Sequence, residues 1–441
     1  MIKQYLCYLL VFGFILAVSF NAECQENRLN ITVVNAESGE PVSYATISFP
    51  SQQYGFSANA NGQFRLPLHH TDMDKKIAIT SIGYERYETT IGQLVKDKVK
   101  TIELQPVVTM LQEILVKAEK ETPTEIVAQA AKNLNNFLRK DPYYLYGLYR
   151  EALKKNGRYA GYTEAYGVFH ISGYQPSYNR KNKVFAYDLA QWKNVRRSEY
   201  RLPPICSTRE KRLLSIDRLA KAKAEYLYNG PLTNKNRDHF RYTIDSLTIY
   251  DNADVFVIGF TPLNSENQYY GRLYIKADDY ALLKMTIRQP NITGILYDDC
   301  DLKVSGNFSV SFTKVGDKYY PDRMALTSLY QAGSGKIEES AEIIGGEFRD
   351  NKVVQLNQEQ RIIVYNEMLN PNIFFDPDFW IDHGTGIPPQ AQEDLGRETP
   401  LLDQFFANHG KRIIPLPEGF TSYEDMSRDR EVFRLFLEGD F

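Results

Sequence analysis

Metal or acid–base chemistry would start from histidines, cysteines and carboxylates, and this chain holds six histidines and four cysteines. His69 and His70 stand beside Asp72 and Asp74. Two imidazoles and two carboxylates could bind a metal, but their spacing fits no zinc template. A polar loop between two strands explains them better. Asp376, Asp378, Asp382 and His383 form the densest acidic cluster with a histidine, and carboxylate oxygens suit a hard cation. Asp376-Pro377 is also ordinary turn chemistry, with Trp380 as an anchor packing on the body, and that reading is preferred. Asp298, Asp299 and Asp301 around Cys300 read as a solvated turn.

Nucleophilic chemistry fares no better. Ser334, in Gly333-Ser334-Gly335, lacks the Gly-x-Ser-x-Gly pattern that raises a serine on a strained elbow. Cys206 and Cys300 lack an activating context and read as core or disulfide cysteines. No phosphate loop or dinucleotide fingerprint is present. The sequence therefore assigns no catalytic, cofactor-binding or metal residue and implies no cofactor. A site assembled from distant residues stays open, so enzyme status is undecided, with binding preferred over catalysis.

Lys3 gives the N-terminus a positive start, and residues 5–20 (YLCYLLVFGFILAVSF) are uncharged and largely apolar. Small residues follow at Ala17, Ser19 and Ala22. This is the layout of a cleaved secretory signal, taken as residues 1–22; the run is short for a membrane-spanning helix. Glu23 stands before Cys24, where a lipid-attachment site wants a small residue, so a lipoprotein is disfavoured. Cys206 and Cys300 could pair in an oxidising compartment, and the sequence leaves open whether they meet. The net charge of −3, without a basic block, argues against nucleic acid as a partner.

Residues 28–118 read as short strands with turn punctuation. Leu29, Ile31 and Val33 alternate with polar residues, as do Ala45, Ile47 and Phe49. Ser38-Gly39-Glu40-Pro41 is a turn, Asn61-Gly62 a hairpin signal, and Ile82-Gly83-Tyr84 closes a further strand. Short strands at this spacing predict a small β-sandwich. The order ITVVNAESGEPVSYATISF, GFSANANGQFRL, IAITSIGYE resembles the carboxypeptidase-regulatory-like domain. That is a transthyretin-like sandwich common in exported proteins of Bacteroidetes. The family's Gly-x-Pro turn falls on Gly39 and Pro41, its Ala-x-Ile strand on Ala45 and Ile47. Its Gly-x-Phe element falls on Gly62 and Phe64, its glycine-aromatic element on Gly83 and Tyr84. The family's usual Thr-Asp before the hairpin is Asn59-Ala60 here. LQEILVKA, residues 111–118, is similar to the segment that ends this domain in TonB-dependent receptors. The resemblance implies a non-catalytic domain without the zinc ligands of the carboxypeptidases it accompanies.

Residues 119–141 predict a linker helix. Thr122-Pro123-Thr124-Glu125 is a capping box with proline in the first turn, and Ile126, Ala130, Leu134 and Phe137 share one face. Residues 142–365 predict a domain of long alternating strands, an antiparallel meander, with one long helix over 209–228. Expected hairpins cross 251–254, 277–280 and 315–317. A curved antiparallel sheet with a helix resembles the lipoprotein-carrier half-barrel, which implies a concave apolar sheet able to hold a lipid. The segment 366–441 is punctuated by proline and resembles the C-terminal part of the same Bacteroidetes architecture. Residues 424–438 predict a further helix. An alternative takes Phe433, Leu435, Leu437, Gly439 and Phe441 as a final strand like those that end outer-membrane barrels.

The expected fold is mainly β with a few helices: sandwich, half-barrel-like sheet, and a helical, proline-punctuated C-terminal segment. The expected function is non-catalytic binding or scaffolding in the cell envelope, in the periplasm or at the outer membrane. The partner would be an envelope protein, a lipid or a glycan, with an apolar ligand in the second domain. A carboxypeptidase-associated hydrolase and an accessory to a TonB-dependent uptake system are the alternatives.

Overall fold

The computed structural model describes residues 28–49, 54–68, 72–107, 121–171, 173–174, 189–197, 219, 222–264, 269–290, 303–332, 335–350, 353, 379–380 and 387–396. The signal, the segment 111–118 and the residues beyond 396 lie outside them.

The first unit consists of β1 (Arg28–Asn35), β2 (Thr46–Phe49), β3 (Tyr54–Ser57), β4 (Gln63–Pro67), β5 (Lys76–Thr80), β6 (Tyr87–Thr90) and β7 (Thr101–Leu104), with a short helix α1 (Ile91–Lys96) before β7. The strands form two sheets, β4-β1-β7 and β3-β2-β5-β6. Ile31, Val33, Ile47, Phe64, Leu66, Ile77, Ile79, Ile102 and Leu104 point between them and are buried. The period-2 alternation in the sequence thus builds the filling of a sandwich.

Asn61-Gly62 corrects one expectation. It joins β3 to β4, which belong to different sheets, so it turns the sandwich's corner and closes no hairpin. Asn59 organises the corner: its Oδ1 accepts from the backbone N–H of Asn61 and of Gln63, both at 2.9 Å. Gly62 has φ +70°, and a Cβ there would lie 2.4 Å from the Val33 carbonyl oxygen. Only glycine meets both conditions.

Helix α2 (Pro123–Phe137) starts on the expected box. Thr122 Oγ1 accepts from the Glu125 N–H at 3.3 Å, and the Glu125 carboxylate accepts from the Thr122 N–H at 2.7 Å. That bond to the Thr122 backbone holds the Glu125 carboxyl below its ordinary pKa.

The large sheet contains β8 (Tyr143–Lys155), β9 (Arg158–Ile171), β10 (Leu189–Arg197), β11 (Phe240–Tyr250), β12 (Ala253–Pro262), β13 (Tyr270–Lys276), β14 (Leu282–Gln289), β15 (Lys303–Val315), β16 (Lys318–Ala332) and β17 (Gly335–Arg349). All neighbours are antiparallel, in the order β10-β9-β8-β17-β16-β15-β14-β13-β12-β11. The expected single meander is two. One runs from β8 to β10, the other from β11 to β17, and they join where β8 pairs with β17. The sheet is open among the described residues, with β10 and β11 at its edges. The turn after β11 is tighter than expected: Asp251 and Asn252, at φ 51° and 62°, form a two-residue loop between Tyr250 and Ala253. Of the helix expected over 209–228, the described end is π-helical at Ala224–Tyr228.

The two faces of the sheet differ. One carries Tyr143, Leu145, Tyr149, Phe169, Ile258, Phe260, Met285, Phe308 and Val310, packed under Ile126, Val127, Ala130 and Leu134 of α2 and under Leu227 and Tyr228. The other is polar and receives the sandwich, Phe379–Trp380 and a further helix, α3 (Pro389–Gly396). No helix among the described residues is long and apolar enough to cross a membrane.

Candidate functional site

Most residues that the sequence singles out for chemistry fall outside the described residues: His69, His70, Asp298, Cys300, Asp301, Ser334, Asp376, Asp378, Asp382, His383 and Cys206. Asp72 is described. It is buried and pairs with Lys75 at 2.7 Å, while Asp74 is exposed. Among the described residues, no three histidines, cysteines or carboxylates are placed to hold a metal. Trp380 does anchor its segment: its Nε1–H donates to Asn194 Oδ1 at 2.7 Å, and Phe379 packs on Tyr166.

What the fold does assemble is a row of charges on the polar face. Glu164 of β9, Arg150 of β8 and Glu342 of β17 are direct cross-strand neighbours. Arg150 Nε donates to Glu164 Oε1 at 2.6 Å, and its Nη1 donates to Glu342 Oε1 at 3.4 Å. Arg323 of β16 continues the row, donating to Glu342 Oε2 at 3.0 Å. The Tyr162 hydroxyl donates to Glu164 at 2.8 Å. Opposite charges on adjacent strands at this spacing attract. Burial works against the Arg150 charge, but Glu164, Tyr162 and Glu342 outweigh it and raise its pKa.

The sandwich sits over this row. Tyr44 lays its ring over the Arg323 guanidinium, 3.3 Å from carbon to centroid. Its backbone has φ +60°, a conformation that costs a non-glycine residue energy. Burial, then Glu342, raises the Tyr44 pKa. Further along, the Gly83 N–H donates to the Ile249 carbonyl at 2.9 Å, and Arg86 bonds Asp251 and Glu88. Tyr250 faces Thr46 and Thr80, and burial pushes its pKa up to about 12. Beneath the same junction lies Asp322, at a bulge of β16. Its Oδ1 is buried without a hydrogen-bond partner among the described residues. Burial pushes the Asp322 carboxyl above the ordinary carboxylate range, against a bond from Ser311. Burial and Arg323 lower the nearby Lys284.

Between sandwich and sheet remains a cavity of about 280 Å³. Its floor is the cross-strand set Ala152, Ser340 and Thr327 beside Arg150, Glu342 and Ala325. Small side chains there leave the hollow. Tyr44 and the corner residues Asn59, Ala60, Asn61 and Gln63 roof it. Tyr159, Tyr162, Ile387, Pro388 and Pro389 form a side wall. That wall is fixed by α3, whose Asp394 accepts from the Tyr159 N–H at 2.9 Å. The sequence does not announce this cleft. Its one local signal is Asn59-Ala60, the departure from the family pattern, which lies at the roof.

Residues 32–116 match the family model of the CarboxypepD_reg-like domain, so the sandwich is a domain of that kind. No curated protein matches the chain. Among solved structures, the chain is similar to a LolA superfamily protein from Nitrosomonas europaea. Identity there is 10%, coverage is 55% of this chain and 98% of that one, and the TM-score is 0.21. It is also similar to a DUF1329 family protein from Desulfovibrio piger, with 11% identity, coverage of 53% and 96%, and a TM-score of 0.25.

Proposed function

We propose that this chain is a non-catalytic binding and scaffolding protein of the cell envelope, exported by residues 1–22. The units are a sandwich at 28–118, a linker at 119–141, a sheet domain at 142–365 and a C-terminal segment at 366–441. The supporting observation is the junction. The sandwich is fixed to the polar face of the sheet by Tyr44, Gly83 and Arg86, and a cleft is left where the two meet. Its charges are committed to one another: Arg150 lies between two carboxylates, and Arg323 between Glu342 and Tyr44. Such pairs suit fastening and recognition better than proton transfer, which needs a group poised between two protonation states.

The helix-covered face is less favourable for a lipid. Tyr143, Tyr149, Phe169, Phe260 and Phe308 are almost wholly buried there against the chain's own side chains. An apolar guest would have to displace this packing.

The test is expression of the full chain in a Gram-negative host, with a photo-crosslinking residue at Asn61. The N-terminus, the compartment and any extracted lipid are then identified by mass spectrometry. Export with cleavage near residue 22 and a crosslink to an envelope component support the reading. Retention in the cytosol, or no crosslink to any envelope component, refutes it; stoichiometric lipid in the purified protein would move the binding site to the helix-covered face.

A further inference from the structure

The cavity at the junction combines a size, a charge balance and a wall that suit one class of ligand. We propose that this cleft between the sandwich and the sheet binds a neutral saccharide of one or two rings; this rests on the reading above that the junction is a binding site.

Size comes first. About 280 Å³ lies just below the roughly 300–1,000 Å³ of sites for drug-sized ligands. The cleft therefore takes a small compact ligand and not an extended chain. Charge comes second. An anion would need uncompensated positive charge, but Arg150 and Arg323 already face Glu164 and Glu342, and Lys154 lies 3.7 Å from Glu338. A cation meets the same obstacle from the opposite side: Glu342 is held by both arginines, and Glu151, which also lines the cleft, accepts from the Tyr149 hydroxyl at 2.7 Å. A neutral ligand enters a balanced field without breaking a pair.

Hydrogen bonding comes third. A hydroxyl both donates and accepts, so it can bridge a guanidinium and a carboxylate that are neighbours in a row. The cleft offers such a row, with Ser340 and Thr327 on the floor and Asn61 on the roof beside Asn59 and Gln63, whose side chains bond each other at 3.3 Å. The walls come fourth. Tyr159, Tyr162, Pro388 and Pro389 present flat or ringed apolar surface beside the polar floor. A sugar ring needs both, because its hydroxyls project around a C–H face. An ordinary apolar ligand would leave the floor desolvated and unpaired.

Saturation-transfer NMR on the mature full-length protein tests this. The probes are glucose, galactose, mannose, N-acetylglucosamine, maltose, cellobiose and chitobiose, with inorganic phosphate and acetate as ionic controls. Saturation transfer to at least one sugar is expected, with affinity weakened roughly fivefold by Asn61→Ala, the effect of one lost hydrogen bond. Ser340→Leu fills the floor and should abolish it. Asn61 is exposed, so its variant folds even where Ser340→Leu does not. The proposal is overturned if no sugar in the panel binds, if binding is unchanged in Asn61→Ala, or if only the anions bind. A crosslink from residue 61 to an envelope protein, with no sugar bound, would overturn the saccharide and leave the scaffolding role intact.

Discussion

Arg150→Met is the most informative single perturbation. Arg150 Nε sits 2.6 Å from Glu164 Oε1, and the Glu164 side chain is wholly buried. Methionine keeps much of the stem's volume and removes the charge. Glu342 retains Arg323 at 3.0 Å, whereas Glu164 loses the Arg150 guanidinium and keeps the Tyr162 hydroxyl. Removing one partner of a buried pair costs roughly 3–5 kcal/mol. In a unit of 150–250 residues each kcal/mol moves Tm by roughly 2–4 °C. The expected fall is therefore roughly 6–20 °C, read by calorimetry and by urea unfolding. The double variant Arg150→Met with Glu164→Leu removes the carboxylate that Arg150 faced as well and should recover part of the loss. If the single variant loses less than about 1 kcal/mol, which is the scale of a surface pair, the row is not a buried network. A double variant no more stable than the single one would also refute the reasoning.

Other outcomes follow from the same geometry. Asp322 has a folded pKa raised by burial, so its contribution is fully present below the unfolded pKa and is lost as pH rises through the folded one. Asp322→Asn should therefore raise Tm at pH 8 relative to pH 4; a larger loss at pH 8 than at pH 4 would contradict this. Gly147 faces the Ile344 carbonyl across β8 and β17, and a Cβ there would lie 2.4 Å from its oxygen. Gly147→Ala should destabilise by about 1–3 kcal/mol, the cost of overpacking, seen as a lower urea midpoint at constant m. Thr122→Ala removes the capping oxygen of α2 and should cost about 1 kcal/mol. Hydrogen exchange of the backbone amides of α2 after Pro123 would show it as faster opening of that helix.

Much of the fold was legible because local chemistry specifies it. Gly39, Gly62 and Gly83 all adopt positive φ, and Thr122 with Glu125 forms the box that its spacing announced. The hairpins across 277–280 and 315–317 follow from strong turn residues between alternating strands. Helix α1 was missed because six residues carry no helical periodicity, although Thr90 supplies its N-cap. Strand β10 was missed too; a bulge between Trp192 and Asn194 interrupts its alternation. The cleft was not legible for a different reason. Arg150 and Glu342 are 192 residues apart and meet through one register, set by the whole sheet. On an isolated strand each reads as an ordinary solvent-facing charge. Only the sandwich and α3, lying over them, turn that face into an interior.

The join between β8 and β17 also governs how the protein is made. β8 and β9 can pair as soon as both are free to fold, but β8 gains its other neighbour only when residues 335–349 join them. Until then β8 is a long sheet edge rich in tyrosine, the kind of edge that recruits strands from other chains. Arg150 and Glu164 lie on that edge hairpin from the start. A foreign strand without a carboxylate opposite Arg150 would bury an incomplete network, whereas β17 brings Glu342 to that place. The charges that fasten the finished sheet thus favour the chain's own β17 in its correct register over a foreign strand.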